Sequence, residues 1–175
     1  TVGMIAQADG SKDYEEIINI FLRNIAFVII ISLLLVILQT YIYNISLSIF
    51  ELSQETKIYF KDYFTFRIYS SFGELTIFVI TGLFIGLQKT KTSSLIVGFY
   101  SIANIMLSLV FVLYFNLNVL GVALGTLVAS TLTTIIFLFY TFYDLSTMTK
   151  LEFNTKKIFN FSKVKNIFNI NLNIF

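Results

Sequence analysis

The stretch from Thr92 to Tyr143 contains no charged residue and is long enough to cross a bilayer twice. A membrane's hydrocarbon core takes about 20 mostly apolar residues per helix. A polar triplet, Asn116 to Asn118, divides the stretch into two segments of that size. Within lipid every backbone amide must find its partner inside the segment or in a closed barrel. A run of this kind therefore folds as a transmembrane helical hairpin.

Both segments keep small and polar residues to one side. In the first, Ser94, Ser101 and Ser108 recur every seven residues, with Gly98 and Asn104 close to the same stripe. In the second, Gly121, Gly125 and Ala129 recur every four, with Thr126, Ser130, Thr133 and Thr134 on or near an adjacent face. Apolar side chains gain little by exchanging an acyl chain for a protein neighbour, so helices associate where small residues admit a second backbone and hydroxyls bond across. The spacing predicts an inward face for the hairpin, with Asn104 on it.

Composition extends this reading to the whole chain. Hydrophobic residues make up 57% of the 175 and charged ones 13%, against roughly 25% charged in an ordinary soluble domain. The expected fold class is all-α: a polytopic transmembrane helical bundle. The ten-residue alternation of a membrane β-barrel is absent. A net charge of +2 without a basic, aromatic-interleaved patch argues against nucleic acid as a partner. With neither cysteine nor histidine, the chain cannot form disulfides, thiolate sites, Ser–His nucleophile pairs or His-rich metal sites. No enzyme chemistry and no cofactor are expected.

Four spans are predicted, over about 17–48, 68–88, 92–115 and 119–143. Residues 1–8 read as the end of a helix, and Asp9 to Glu16 as a charged loop or helix start. Arg23, near the start of the first span, is placed to snorkel to the interface. Glu51 to Arg67 reads as a mixed-charge connection lying near the interface through Tyr59, Phe60, Tyr63, Phe64 and Phe66. Residues 144–175 read as a basic linker, whose lysines among phenylalanines suit anionic lipid. The chain opens without Met or a signal peptide and closes in an apolar-leaning pattern, so it reads as an internal fragment of a larger protein. The 88–92 loop and the 144–166 tail carry seven lysines and lie on one side, which the positive-inside rule makes cytoplasmic. The 9–16 loop falls on that side as well.

The segment GLFIGLQKTKTSSLIVGFYSIANIMLSLVFVLYFNLNVLGVALGTLVAS resembles the multidrug and toxic compound extrusion family, MATE, and within it the DinF-like branch. The family pattern has a Gly-x-x-x-Gly pair, a short basic loop, a helix with Asn-x-x-Leu-Asp, and Gly-x-Ala-x-Ala-Thr opening the next helix. TVGMIAQADGSKDYEE is similar to the family's stretch after its second helix, and NIFNINLNIF to the lead-in to its seventh. The resemblance implies helices three to six of a twelve-helix transporter, with 1–143 inside the N-terminal six-helix lobe and 144–175 leading to the second lobe. It implies secondary efflux of organic cations and drugs by antiport against H⁺ or Na⁺, in the bacterial cytoplasmic (inner) membrane. The partners it implies are membrane lipids, small amphipathic organic substrates and the remainder of the same chain.

Carried over residue by residue, Asn104 falls on the fifth-helix cation-site Asn and Thr126 on the sixth-helix Thr that adds an oxygen. Na⁺ at Asn104 and Thr126 is the metal this allows. Ser108 stands where the pattern usually has Asp, which removes a carboxylate from the cation site; the resemblance places the family's main carboxylate on the first helix, upstream of Thr1, and proton coupling through that acid is expected over Na⁺. Phe72 stands where the family often has a proline, so a bend around Gly73 is expected in its place.

Each of these residues also has a plainer reading. Asn104 fits an interhelical hydrogen bond, and Thr126 and Ser108 fit bonds to their own helix carbonyls. Glu74 is the one acid inside a predicted span, and such a group is by default a functional candidate. Alternatively, it reaches water from near its helix end. Arg67 belongs to the same helix's mouth. Gly82 and Gly86, and Gly121 and Gly125, are expected helix-packing positions. Two rival functions remain open: a lipid-linked saccharide flippase of the same superfamily, which would carry several cavity Arg or Lys, and a membrane scaffold subunit without transport.

Overall fold

A computed structural model describes residues 2–50 and 52–149. The short helix α1 (Val2–Gly10) precedes four long ones: α2 (Tyr14–Ile49), α3 (Gln54–Gly86), α4 (Thr90–Leu109) and α5 (Asn118–Met148). A single π-helical turn, Val110–Tyr114, extends α4. Each long helix, α4 with its π turn included, is apolar and long enough to cross a membrane. The expected transmembrane helical bundle is therefore what the chain forms.

Local chemistry sets the helix ends. Asp13 caps α2 by accepting from the Glu16 amide at 3.0 Å, and Ser53 caps α3 by accepting from the Thr56 amide at 3.3 Å. Both are side-chain acceptors for amides that the first turn leaves unbonded. Lys12 and Gln88, each with φ of 58°, occupy the left-handed position that closes a helix and is usually given to glycine. The Asp13 amide then reaches back to the Ala8 carbonyl, and the Lys89 amide to that of Phe84. Asn116, at φ 54°, turns the α4–α5 hairpin with a residue that tolerates this region.

The Ser53 cap also corrects the sequence reading. Residues 54–67 are not part of the connection, because helix is continuous from Gln54 and carries the Tyr and Phe residues on its first turns. At 36 and 33 residues, α2 and α3 run about 54 and 50 Å at 1.5 Å per residue. They are therefore longer than a bilayer is thick. Their shared end is tied by Tyr43 stacked on Phe60, with ring centroids 5.6 Å apart, and by Phe64 beside both. Of the predicted tail, residues 144–148 extend α5, and 150–175 lie outside the described residues.

The helix directions give the bundle a near end, with turns 11–13 and 87–89, and a far end, with turns 50–53 and 115–117. The apolar core lies at the near end, where Ile5 and Ala8 of α1 meet Ile17, Ile18 and Phe21 of α2, Ile80, Leu83 and Phe84 of α3, and Leu145 of α5. Arg23 is buried there at 1% exposure, with Glu16 at 3.9 Å. It reaches toward the helix start as a snorkelling arginine does, yet ends inside protein. Lys89 closes the same end through a two-pronged ion pair to Asp144, both contacts at 2.7 Å.

Helix α5 is the packing centre, lying against α3 on one face and α4 on the other. Gly125 admits α4, since a Cβ there would sit 2.6 Å from the Ser108 amide nitrogen, and Gly121 lies as close to the π turn, with Phe111 C at 2.9 Å. Toward α3 the close approach belongs to Gly73, whose missing Cβ would meet Ser130 at 2.8 Å. Across the same contact the Thr134 hydroxyl donates to the Gly73 carbonyl at 3.0 Å. Gly73 thus serves an interhelical contact inside the α3 helix. Helix α4 packs through Ser93, Ile96, Tyr100, Asn104 and Ser108, while Ser94 and Ser101 of the expected stripe are exposed.

Candidate functional site

A set of partly buried polar residues on α3, α4 and α5 lines up as one track. It starts in the α4–α5 contact. Gly125 brings the two backbones together at Ser108, and three of the sequence-predicted residues meet beside it. The Thr126 hydroxyl lies 3.1 Å and the Ser108 hydroxyl 3.2 Å from Asn104 Oδ1. Thr126 has the carbonyl of Val122 as its alternative acceptor, at 3.0 Å. The sequence left these residues divided between packing and ion binding, and the fold places all three in one cluster.

Glu74, the fourth candidate, joins the cluster through a residue the sequence reading passed over. The Tyr100 hydroxyl donates to Glu74 Oε1 at 2.7 Å, and Tyr100 stands one turn before Asn104 on the same face of α4. The same Oε1 receives the Arg67 guanidinium in an ion pair along α3. Arg67 Nη1 further donates to the Ser70 hydroxyl at 2.6 Å, which in turn donates to the Arg67 carbonyl at 2.8 Å. Glu74 Oε2 has no hydrogen-bond partner among the described residues. Arg67, Glu74, Tyr100, Asn104, Thr126 and Ser108 thus make a polar line across three helices.

A signal for Tyr100 existed in the sequence. It lies four residues before Asn104, so the two share a helix face, and a hydroxyl on that face is the natural partner of an acid on a neighbouring span. The stripe through Ser94 and Ser101 drew attention to the wrong side. Arg67 was placed at a helix mouth because the helix was expected to begin there, but α3 starts at Gln54 and sets Arg67 well inside it.

Of the four glycines singled out for packing, Gly86, Gly121 and Gly125 each abut a neighbouring helix or turn. Gly86 does so against Ile5 of α1, whose Cβ would be 2.7 Å away. Gly82 is different: a Cβ there would meet only Val2 Cγ2, at an ordinary 3.7 Å.

The Asn104 cluster brings three oxygens together, all of them neutral. Hard cations favour carboxylate and carbonyl oxygens, and the nearest carboxylate, Glu74, reaches the cluster only through Tyr100. Among the described residues no three acidic side chains gather in the manner of a metal site.

A family model named MatE matches residues 1–110, well over half of the chain. The chain belongs to the MatE family. MatE proteins are transporters rather than enzymes, and the four apolar helices make this a multi-pass membrane protein. The match takes in α1 to α4, including Arg67, Glu74, Tyr100, Asn104 and Ser108, and ends where the π turn begins; Thr126 lies beyond it. No curated protein and no solved structure matches the chain.

Proposed function

We propose that this chain is part of the N-terminal lobe of a MATE-type antiporter of the DinF-like branch, exporting organic cations and drugs across a bacterial cytoplasmic membrane against an ion gradient. The observation that carries the reading is the polar track. Residues that cost free energy in an apolar span converge from three helices on Asn104 and Glu74, and glycines hold the helices close enough for them to meet. Alternating access requires groups near mid-membrane whose occupancy is coupled to helix packing. A cluster shared by α3, α4 and α5 meets that requirement, because anything bound there alters all three contacts.

The favoured coupling ion is H⁺. The Asn104, Thr126 and Ser108 oxygens would hold Na⁺ through amide and hydroxyl oxygens alone, with no charge to offset that of the ion. Proton coupling then falls to the carboxylate that the family resemblance implies on the first helix. The flippase alternative calls for unpaired basic groups to receive a phosphate. Among the described residues, Arg67 is the basic group of this polar track, and its charge is matched by Glu74.

The test is transport by the full-length parent in proteoliposomes. A fluorescent organic cation is followed under an imposed proton gradient and, separately, a sodium gradient. Movement driven by either gradient and weakened by Asn104→Ala supports antiport and identifies the ion. Absence of movement under both refutes it.

A further inference from the structure

The Arg67–Glu74 pair has an orientation that its helix does not favour. In an α-helix the Cα–Cβ bond tilts toward the N-terminus, and a long basic side chain near a helix end relaxes by extending toward the closer interface. The N-terminal end of α3 is the far end of the bundle. Arg23 of α2 follows the rule and points back to Glu16. Arg67 does the opposite: its guanidinium runs C-terminally, deeper into the bundle, to a carboxylate seven residues on. Seven residues are about 10 Å of helix rise. The arm is extended against its own preference, and Glu74 is what draws it.

At the carboxylate the contacts are lopsided. Oε1 takes both Arg67 and Tyr100, while Oε2 has no hydrogen-bond partner among the described residues. The pair is partly open, with side-chain exposures of 39% for Arg67 and 20% for Glu74. A cation approaching the exposed side of the pair therefore finds one carboxylate oxygen free and the other shared with a guanidinium that its own helix geometry inclines toward the far end.

We propose that Arg67 is a tethered competitor for the cationic substrate: its guanidinium holds Glu74 when no substrate is bound, and an organic cation displaces it toward the far end of α3. This rests on the antiport reading and deepens it by naming Glu74 as the substrate's counter-ion and Arg67 as its built-in rival. The carboxylate exchanges one cationic partner for another, so it is never uncompensated in the span. Tyr100 stays on Oε1 and fixes the carboxylate while its ionic partner changes. The ligand class that suits the site is a monovalent organic cation with apolar bulk, because a single carboxylate here stands within a helix that is otherwise apolar enough to cross a membrane. A dianionic phosphate headgroup would meet Glu74 as a repelling neighbour.

A competitor of this kind lowers apparent affinity by the fraction of time the site is free. With the pair closed nine-tenths of the time, removal of Arg67 tightens binding about tenfold. The experiment is equilibrium binding of radiolabelled tetraphenylphosphonium, a permanent organic cation, to the detergent-solubilised full-length parent. Arg67→Gln is expected to lower the Kd about tenfold, and Glu74→Gln to raise it. The double variant should bind like Glu74→Gln alone, since a competitor has no effect once its target is gone. Arg67→Lys, which keeps the charge on a shorter arm without the guanidinium fork, should also tighten binding and serves if Arg67→Gln does not fold.

Unchanged or weaker binding in both Arg67 variants overturns the proposal, because a purely structural ion pair gives that result. So does tightening that persists in the Glu74→Gln background. The two readings fail separately. The expected binding pattern without transport under either gradient would remove the antiport reading and leave the competitor in place. Gradient-driven transport with no tightening would do the reverse.

Discussion

Gly125 and Gly82 have the same surroundings in sequence, each one member of a Gly-x-x-x-Gly pair in an apolar span, yet the structure assigns them different consequences. In Gly125→Ala the new methyl would lie 2.6 Å from the Ser108 backbone nitrogen and 2.7 Å from its Cα, with Ser108 Oγ closer still. Ordinary carbon contacts are about 3.5–4.0 Å, so α4 and α5 must separate by roughly 1 Å. Backbone cannot rotate aside as a side chain does. The cost of such overpacking is about 1–3 kcal/mol, and the 3.1 Å bond joining Thr126 to Asn104 is stretched with it. Gly82→Ala meets only Val2 Cγ2 at 3.7 Å, and alanine is the better helix former by up to about 1 kcal/mol. Expressed in melting temperature at about 2–4 °C per kcal/mol, Gly125→Ala should lose roughly 2–12 °C. Gly82→Ala should stay level or rise. The assay is the loss of the monodisperse size-exclusion peak after graded heating in detergent. Equal shifts for the two variants, or a larger loss at Gly82, would refute the packing argument.

Two buried threonines one residue apart should respond oppositely to valine. Thr134→Val removes the donor to the Gly73 carbonyl, a 3.0 Å bond between α3 and α5, and should cost about 1–2 kcal/mol in the same heating assay. Thr133 is fully buried and its hydroxyl has no partner among the described residues, so Thr133→Val should be neutral or stabilising by up to about 1 kcal/mol. A loss at Thr133 as large as at Thr134 would contradict this. The Lys89–Asp144 pair, with side chains 37% and 15% exposed, should show a coupling below about 1 kcal/mol in a double-mutant cycle with Lys89→Gln and Asp144→Asn. That coupling should shrink as salt rises, and one that is large and insensitive to salt would place the pair in a drier setting than the structure does. Ser53→Ala removes the α3 cap and should cost about 1 kcal/mol, read as fraying of the far-end turns by hydrogen exchange; unchanged exchange there would count against the cap.

How far the sequence carries depends on which forces choose a residue's place. The spans were legible because hydropathy over about 20 residues is a property of the segment alone. The start of α3 was misread because the segment up to Arg67 is polar enough to pass for a loop, and what makes it helical from Gln54 is the Ser53 cap together with the contact of Phe60 and Phe64 with Tyr43 on the preceding helix. Asn104, Ser108 and Thr126 were legible as candidates, but their meeting was not. It depends on Gly125 setting the separation of α4 and α5.

The Ser94–Ser101 stripe shows the limit most clearly. Serine at seven-residue spacing marks a face, yet a span can turn such a face outward, because hydroxyls bond their own helix carbonyls at little cost. A carboxylate has no such outlet in an apolar span. Glu74 must be met by donors, and of the α4 residues that pass it, Tyr100 carries the hydroxyl. The rotation of α4 is therefore set by the group with the fewest alternatives, and the serines follow. The same logic explains why Arg67 turns inward. In a bundle with so little charge, each ionisable group within a span positions its neighbours. Reading such a sequence from its acids outward would have found Tyr100 and Arg67 before the serines.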